Sequence, residues 1–334
     1  MSLLNPNIVG IISNSNLNGA NDVFVVSSVA FAVGAVADTL VSIDVSDPQN
    51  PTQIDSISTL PGTNTPNSIF VEGDYAYITG GSTDSFEVFD ISNPASLSSV
   101  SSITDAALIN PTGTFVLGNY AYVAVNDNPS RLTIIDITNP ASLSVVGSYI
   151  SAFTNAQDCT VYNDGGTLYA ILTIPIAGGG IGGFVIINVT NPASPTLVGT
   201  VSSTDLNGAR GVAVVGNYAY VACEAADALT IVDISNPASP SQVGTVSSTD
   251  LNGAFDVNIS GNYAFTVSQT ADSLTIIDIS NPASPVQYST LSSVSFDLAR
   301  SLFVLGNYAY VAANAADTIS VVDIRSHIPQ ILMY

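Results

Sequence analysis

Short apolar runs separated by turn residues recur along the whole chain, and none shows the 3.6-residue spacing of an amphipathic helix. In one unit, Gly211-Val-Ala-Val-Val215 reads as a first strand and Gly216-Asn217 as a two-residue turn. Tyr218-Ala-Tyr-Val-Ala222 follows as a second strand. Gly-Asn between apolar runs signals a hairpin because such turns need positive φ. The aromatic and β-branched residues behind it suit a pleated surface. Leu229 to Ile234 is the third strand. Ser235-Asn-Pro-Ala-Ser-Pro240 then breaks the chain, since proline has no N–H for a ladder. Gln242-Val-Gly-Thr-Val246 is the fourth strand, and Asp250-Leu-Asn-Gly-Ala254 leads into the next unit.

The period is marked by an acidic or amide residue closing the third strand: Asp44, Asp90, Asp136, Asn188, Asp233, Asp278 and Asp323. The steps are 46, 46, 52, 45, 45 and 45 residues, so seven units follow one another and only the fourth carries an insertion. Four-strand units at this spacing are the mark of a β-propeller, in which each unit is one blade. Strands two and three are apolar on both sides (Tyr218, Val221, Ile231, Val232), as blades stacked between two neighbours require. The expected architecture is therefore all-β: one domain over residues 1–334, a single seven-bladed propeller with four antiparallel strands per blade. First-strand copies number seven, but fourth-strand copies number eight, with one at each end of the chain: Asn5 to Gly10 and Pro329 to Tyr334. The N-terminal copy is expected to close the last blade as its outer strand. The C-terminal copy either competes for that place or adds a fifth strand. Such a clasp removes an exposed edge.

The run Leu229-Thr-Ile-Val-Asp233 and its six counterparts resemble the LVIVD repeat family over nearly the whole chain. That resemblance implies a β-propeller of the kind found in bacterial and archaeal cell-surface or secreted proteins. It implies no shared catalytic residues.

Charge narrows the partners. There are 26 acidic residues against 4 basic ones, for a formal charge of −22. Lysine is absent, and the arginines are Arg131, Arg210, Arg300 and Arg325. Nucleic acid and anionic membrane both demand a basic footprint, so neither is an expected partner. A protein or glycan partner at a loop face is, and assembly of copies through propeller faces stays open. Ser, Thr and Asn carry the polar surface, which suits an extracellular, cell-surface or virion protein. Met1 to Pro6 has no basic n-region of a signal peptide. The uncharged stretch Tyr169 to Val189 contains Pro175 and five glycines, and reads as two strands and a loop rather than a membrane helix. Cys159 and Cys223 are expected to be two buried small side chains without a bridge.

Conventional catalytic types are scarce. His327 is the only histidine and lies beyond the last strand, there are three glutamates, and Gly178 to Gly183 lacks the Lys and helix of a phosphate loop. Two acidic series recur. The aspartates closing strand three are expected to accept N–H bonds from the following turn. Asp38, Asp84, Asp227, Asp272 and Asp317 are expected in Asx turns, with a weak cation site as the alternative.

Positions that change from blade to blade are more informative. At the start of strand one the aligned pairs are Asn21-Asp22, Asn67-Ser68, Thr112-Gly113, Gln157-Asp158, Arg210-Gly211, Phe255-Asp256 and Arg300-Ser301. The first strand of a propeller lines its central channel, so Asp22, Asp158, Asp256, Arg210 and Arg300 are expected to meet at one channel mouth. Two readings stay open there. One is an ion-paired plug. The other is a polar site for a small ligand or a cation, with Asp22, Asp158 and Asp256 offering oxygens to Ca²⁺. The leading functional expectation is a non-catalytic binding or structural module. The alternative is a Ca²⁺-dependent hydrolase or lactonase at the mouth.

Overall fold

The computed structural model describes residues 6–59, 65–177 and 181–325. His327 and the C-terminal copy Pro329 to Tyr334 lie outside the described residues, as does Asn5 of the N-terminal copy. Strands are arranged as seven four-stranded antiparallel sheets. The innermost strands are Ala20–Val26, Pro66–Glu72, Pro111–Leu117, Cys159–Asp164, Ala209–Val215, Ala254–Ser260 and Ala299–Leu305. Each touches the innermost strands of both neighbouring blades, which closes the ring around a channel. Among the described residues the only helical pieces are four three-residue 3₁₀ turns, and no helix is long and apolar enough to cross a membrane.

The last blade is completed by the N-terminus. Asn7–Ser13 pairs with Thr318–Asp323, Asn7 opposite Asp323 and Ser13 opposite Thr318. A register shift at Ile8/Gly10 matches the one in every other outer pair, for instance at Ile231/Val232. The N-terminal strand is thus a full structural copy of an outer strand. Its Gly10 is demanded by the next blade: a Cβ there would lie 2.2 Å from the carbonyl oxygen of Pro48. Gly199 and Gly244 stand in the same relation to Pro237 and Pro282.

Packing explains why strands two and three are apolar on both faces. In the fifth blade, Val221 and Val232 pack with Ile171 and Phe184 of the fourth blade. Tyr220, Leu229 and Ile231 pack with Val257 and Ile277 of the sixth. Successive residues alternate between two neighbours, as the period of a strand requires. Each such buried aliphatic side chain contributes about 1.5–3 kcal/mol.

Turn chemistry follows the sequence with two differences. Gly216 has φ 58° while Asn217 does not turn left-handed, so only the first hairpin position needs glycine, the pattern of a type II′ turn. The insertion in the fourth unit lengthens a hairpin instead of forming a free loop. Its arms are Thr167–Ala177 and Ile181–Asn188, with Ala177 opposite Ile181. Gly178 to Gly180, between these arms in the sequence, lie outside the described residues. Both cysteines are buried and free.

Candidate site at the channel mouth

The local fold aims the mouth residues inward. In six blades the pairing of strands one and two slips at its mouth end, for example at Ala20/Asp22 and Ala254/Asp256. A bulge there bends the strand and re-aims its side chains. The result is two stacked rings. The upper ring is Asn21, Asn67, Thr112, Gln157, Arg210, Phe255 and Arg300. The lower is Asp22, Ser68, Gly113, Asp158, Gly211, Asp256 and Ser301. Together with Gln269 they line a cavity of about 330 Å³. A second cavity of about 420 Å³ continues below. Asp22, Ser68, Asp158, Asp256 and Ser301 line both, so the lower ring is the partition between them. Beneath it, Phe303, Phe24, Phe70 and Phe115 form an arc with ring centroids 4.5–5.0 Å apart.

The three aspartates clasp adjacent blades. Asp22 accepts the N–H of Val23 at 2.8 Å and of Ile69, in the next blade, at 2.7 Å. Asp158 accepts Cys159 at 2.8 Å and Val212 at 3.1 Å. Asp256 accepts Val257 at 2.7 Å and Leu302 at 3.0 Å. Ser301 closes the circle by donating to Asp22 at 2.5 Å. Gly113 and Gly211 are small because these carboxylates crowd them: a Cβ would fall 2.6 Å from an Asp158 or Asp256 oxygen, respectively. Each carboxylate keeps only a narrow face on the channel. Burial therefore pushes Asp158 up to about 7, with the Asp22 charge adding to it. Burial also raises Asp22, and raises Asp256 well above the ordinary range, the latter helped by the Asp158 and Asp22 charges.

The expected pairing of these aspartates with Arg210 and Arg300 does not occur. Arg210 is held instead by Glu224, with Nε at 2.7 Å and Nη2 at 2.5 Å from the same oxygen, and it also donates to Gln157. Gln269 donates to the other Glu224 oxygen at 2.5 Å. Arg300 donates to Asn21 Oδ1 at 3.3 Å, which also accepts from Asn314 at 2.8 Å. Both guanidinium carbons lie over the Phe255 ring, 5.1 Å for Arg210 and 5.8 Å for Arg300. Burial and the nearby Arg210 charge lower the Arg300 pKa. Its buried Nε has no hydrogen-bond partner among the described residues. The mouth is thus not an ion-paired plug of the expected kind. Nor do Asp22, Asp158 and Asp256 form a metal-ligand group: no three His, Cys, Asp or Glu among the described residues come together to hold one. Their oxygens are directed at backbone N–H groups of the inner strands.

Sequence alignment of the repeats missed Glu224, Gln269 and Asn314. All three occupy the position just after strand two, 45 residues apart, another column that varies between blades. The recurrent aspartates divide. Those closing strand three accept the N–H two residues on, as Asp233 does from Ser235 at 2.8 Å. Asp38, Asp84, Asp227, Asp272 and Asp317 instead adopt φ of 48–55°. Asp317 receives Gly19 N–H of the next blade at 2.7 Å and Asp227 receives Gly253 at 3.0 Å, so this series links blades rather than opening its own strand.

Fold and site together define a seven-bladed β-propeller with a polar cavity at one channel mouth. The chain belongs to the LVIVD repeat family, whose repeat matches residues 29–59, 66–105, 113–151, 178–203, 208–248, 253–291 and 298–327. No curated protein matches the chain. Among solved structures it is similar to hydrazine synthase of Kuenenia stuttgartiensis (TM-score 0.71, 16% identity, covering 93% of this chain and 97% of that one). It is also similar to virginiamycin B lyase of Staphylococcus aureus (TM-score 0.67, 11% identity, 95% and 99%). A functionally unknown protein from Desulfotomaculum acetoxidans gives 0.70 at 10% identity, covering 87% and 90%. At these identities the likeness is one of fold.

Proposed function

We propose that the protein is a non-catalytic binding module, on a cell or virion surface, that receives a small polar group of a glycan partner in its channel mouth. One observation carries this reading. The blades share one four-strand layout, yet at the mouth seven equivalent positions hold Asn21, Asn67, Thr112, Gln157, Arg210, Phe255 and Arg300 around one cavity. A scaffold needs no such variety, whereas a ligand without sevenfold symmetry does. The clasping role of Asp22, Asp158 and Asp256 supports binding over catalysis, because each is engaged in joining blades. The low total of charged side chains and the Ser, Thr and Asn surface support a surface location.

A glycan array probed with the purified protein tests the reading, with Thr112→Trp as the variant that fills the cavity. Binding lost in the variant is the expected result, with cooperative melting retained even though the Thr112 hydroxyl gives up its bonds to the Ala124 and Ala156 carbonyls. Equal binding by the filled variant would move the site to the outer loops.

A further inference from the structure

We propose that the group received at the mouth is a sugar acid, its carboxylate held by Arg300 and its hydroxyls by the amides around it. The inference rests on the mouth being the binding site and adds the chemistry of the ligand.

The charged groups facing the cavity and its walls are Asp22, Asp158, Asp256, Arg210, Arg300 and Glu224. Arg210 is neutralised by Glu224. The aspartates give their oxygens to Ile69, Val212 and Leu302 of neighbouring strands. Arg300 has one long bond to a neutral amide and no carboxylate within ion-pair distance among the described residues. A half-buried guanidinium without a counter-charge costs free energy, and so does its unpartnered buried Nε. A carboxylate in the cavity supplies the missing counter-charge, since the planar fork of arginine matches its two oxygens. Phe255 under the guanidinium holds that fork in place before the ligand arrives.

The rest of the wall is built for hydroxyls. Gln269 donates its amide N–H to Glu224 and keeps its carbonyl oxygen. Asn67 donates to the Pro111 carbonyl and likewise keeps its oxygen. Size agrees. A cavity of about 330 Å³ lies at the lower end of the range for small-molecule sites, about 300–1,000 Å³. One sugar ring with its carboxylate suits a site of that size, and an oligosaccharide extends out of the mouth. The one mouth guanidinium out of ion-pair contact suits a single negative charge. Asp158, below, becomes charged as pH rises through about 7, so the bound carboxylate is held better at pH 6 than at pH 8.

The test is titration calorimetry on the full chain at pH 6 with D-glucuronate and with D-glucose, which presents a similar ring without the charge. Glucuronate is expected to bind at least about tenfold tighter than glucose, and Arg300→Met to lose that advantage while Arg300→Lys keeps part of it. Equal binding of the two sugars, abolished by Thr112→Trp, would overturn the charged ligand while leaving the mouth as the site. Glucuronate binding that survives both Arg300→Met and Thr112→Trp would overturn both. Binding of neither sugar would overturn the sugar acid alone, with the array result deciding the mouth.

Discussion

Ionising Asp158 should weaken the fold, and the size of the effect follows from its surroundings. Its carboxyl has an ordinary value of 3.8 when unfolded and about 7 when buried at the blade 4–blade 5 seam. A group with a raised folded pKa contributes stability that is present below the unfolded value and lost as pH rises through the folded one. The loss for this one carboxyl is up to about 4 kcal/mol, complete just above pH 7. With an unfolding entropy of about 2.1 cal/mol/K per residue, that is a fall in Tm of about 6 °C for a chain of this length, of which about 4 °C comes above pH 5. Asp22 and Asp256 act in the same direction. The exposed strand-end aspartates do not interfere. Side-chain and backbone bonds from Ser46, Ser92 and Ser235 lower Asp44, Asp90 and Asp233, so their contribution is lost only toward acid, below the unfolded value. Calorimetric melting from pH 5 to 8 in about 0.3 M salt, which shortens the reach of the net charge, reads the effect. Asp158→Asn should start lower at pH 5, because its amide turns a donor toward the Val212 N–H at a cost of about 1–3 kcal/mol. It should then fall less steeply and converge with the wild type at pH 8. A wild-type Tm that is flat or rises from pH 5 to 8 would refute the reasoning, as would an unchanged slope in Asp158→Asn.

Three other perturbations follow from the seams. Gly211→Ala places a Cβ 2.6 Å from an Asp256 oxygen and 2.8 Å from its Cα. It should cost about 1–3 kcal/mol by chemical denaturation, with no loss at all contradicting the packing. Removing residues 1–13 uncovers the edge of Thr318–Asp323 and takes Ile12 away from the cluster it shares with Ile319 and Val321; Tm should drop and concentration-dependent oligomers appear in size-exclusion chromatography, while an unchanged monomer would disprove the clasp. Asp317→Ala loses the bond to Gly19 and forces alanine to a φ of 55°. A cost of about 1–3 kcal/mol is expected, recovered in part by Asp317→Gly, which restores only the backbone freedom.

The architecture was legible because each unit repeats its own turn and strand chemistry. The Gly-Asn turns, the proline-broken loop after strand three and the doubly apolar second and third strands leave a stacked ring as the arrangement that covers every face. The outer place of the N-terminal strand was legible too, since it copies Gly244 and its neighbourhood at Gly10. The mouth was legible only as a list of side chains. The repeat register suggested that Asp22, Asp158 and Asp256 would meet Arg210 and Arg300, yet opposite charges at one mouth need not pair. Backbone N–H groups of the adjoining blade lie nearer to each carboxylate, and Glu224 from another column takes Arg210. Which donor reaches which acceptor depends on bulges and blade spacing, and those are set by contacts far apart in the chain. Asp38 and its counterparts show the same limit: their residue type was read correctly as a turn former, but the partner across the seam was not visible locally.

The most direct test of the account is a crystal structure grown with saturating D-glucuronate at pH 6. One sugar ring is expected inside the mouth with its carboxylate against the Arg300 guanidinium. Sugar bound only on the outer loops, beside a mouth holding water alone, would contradict it.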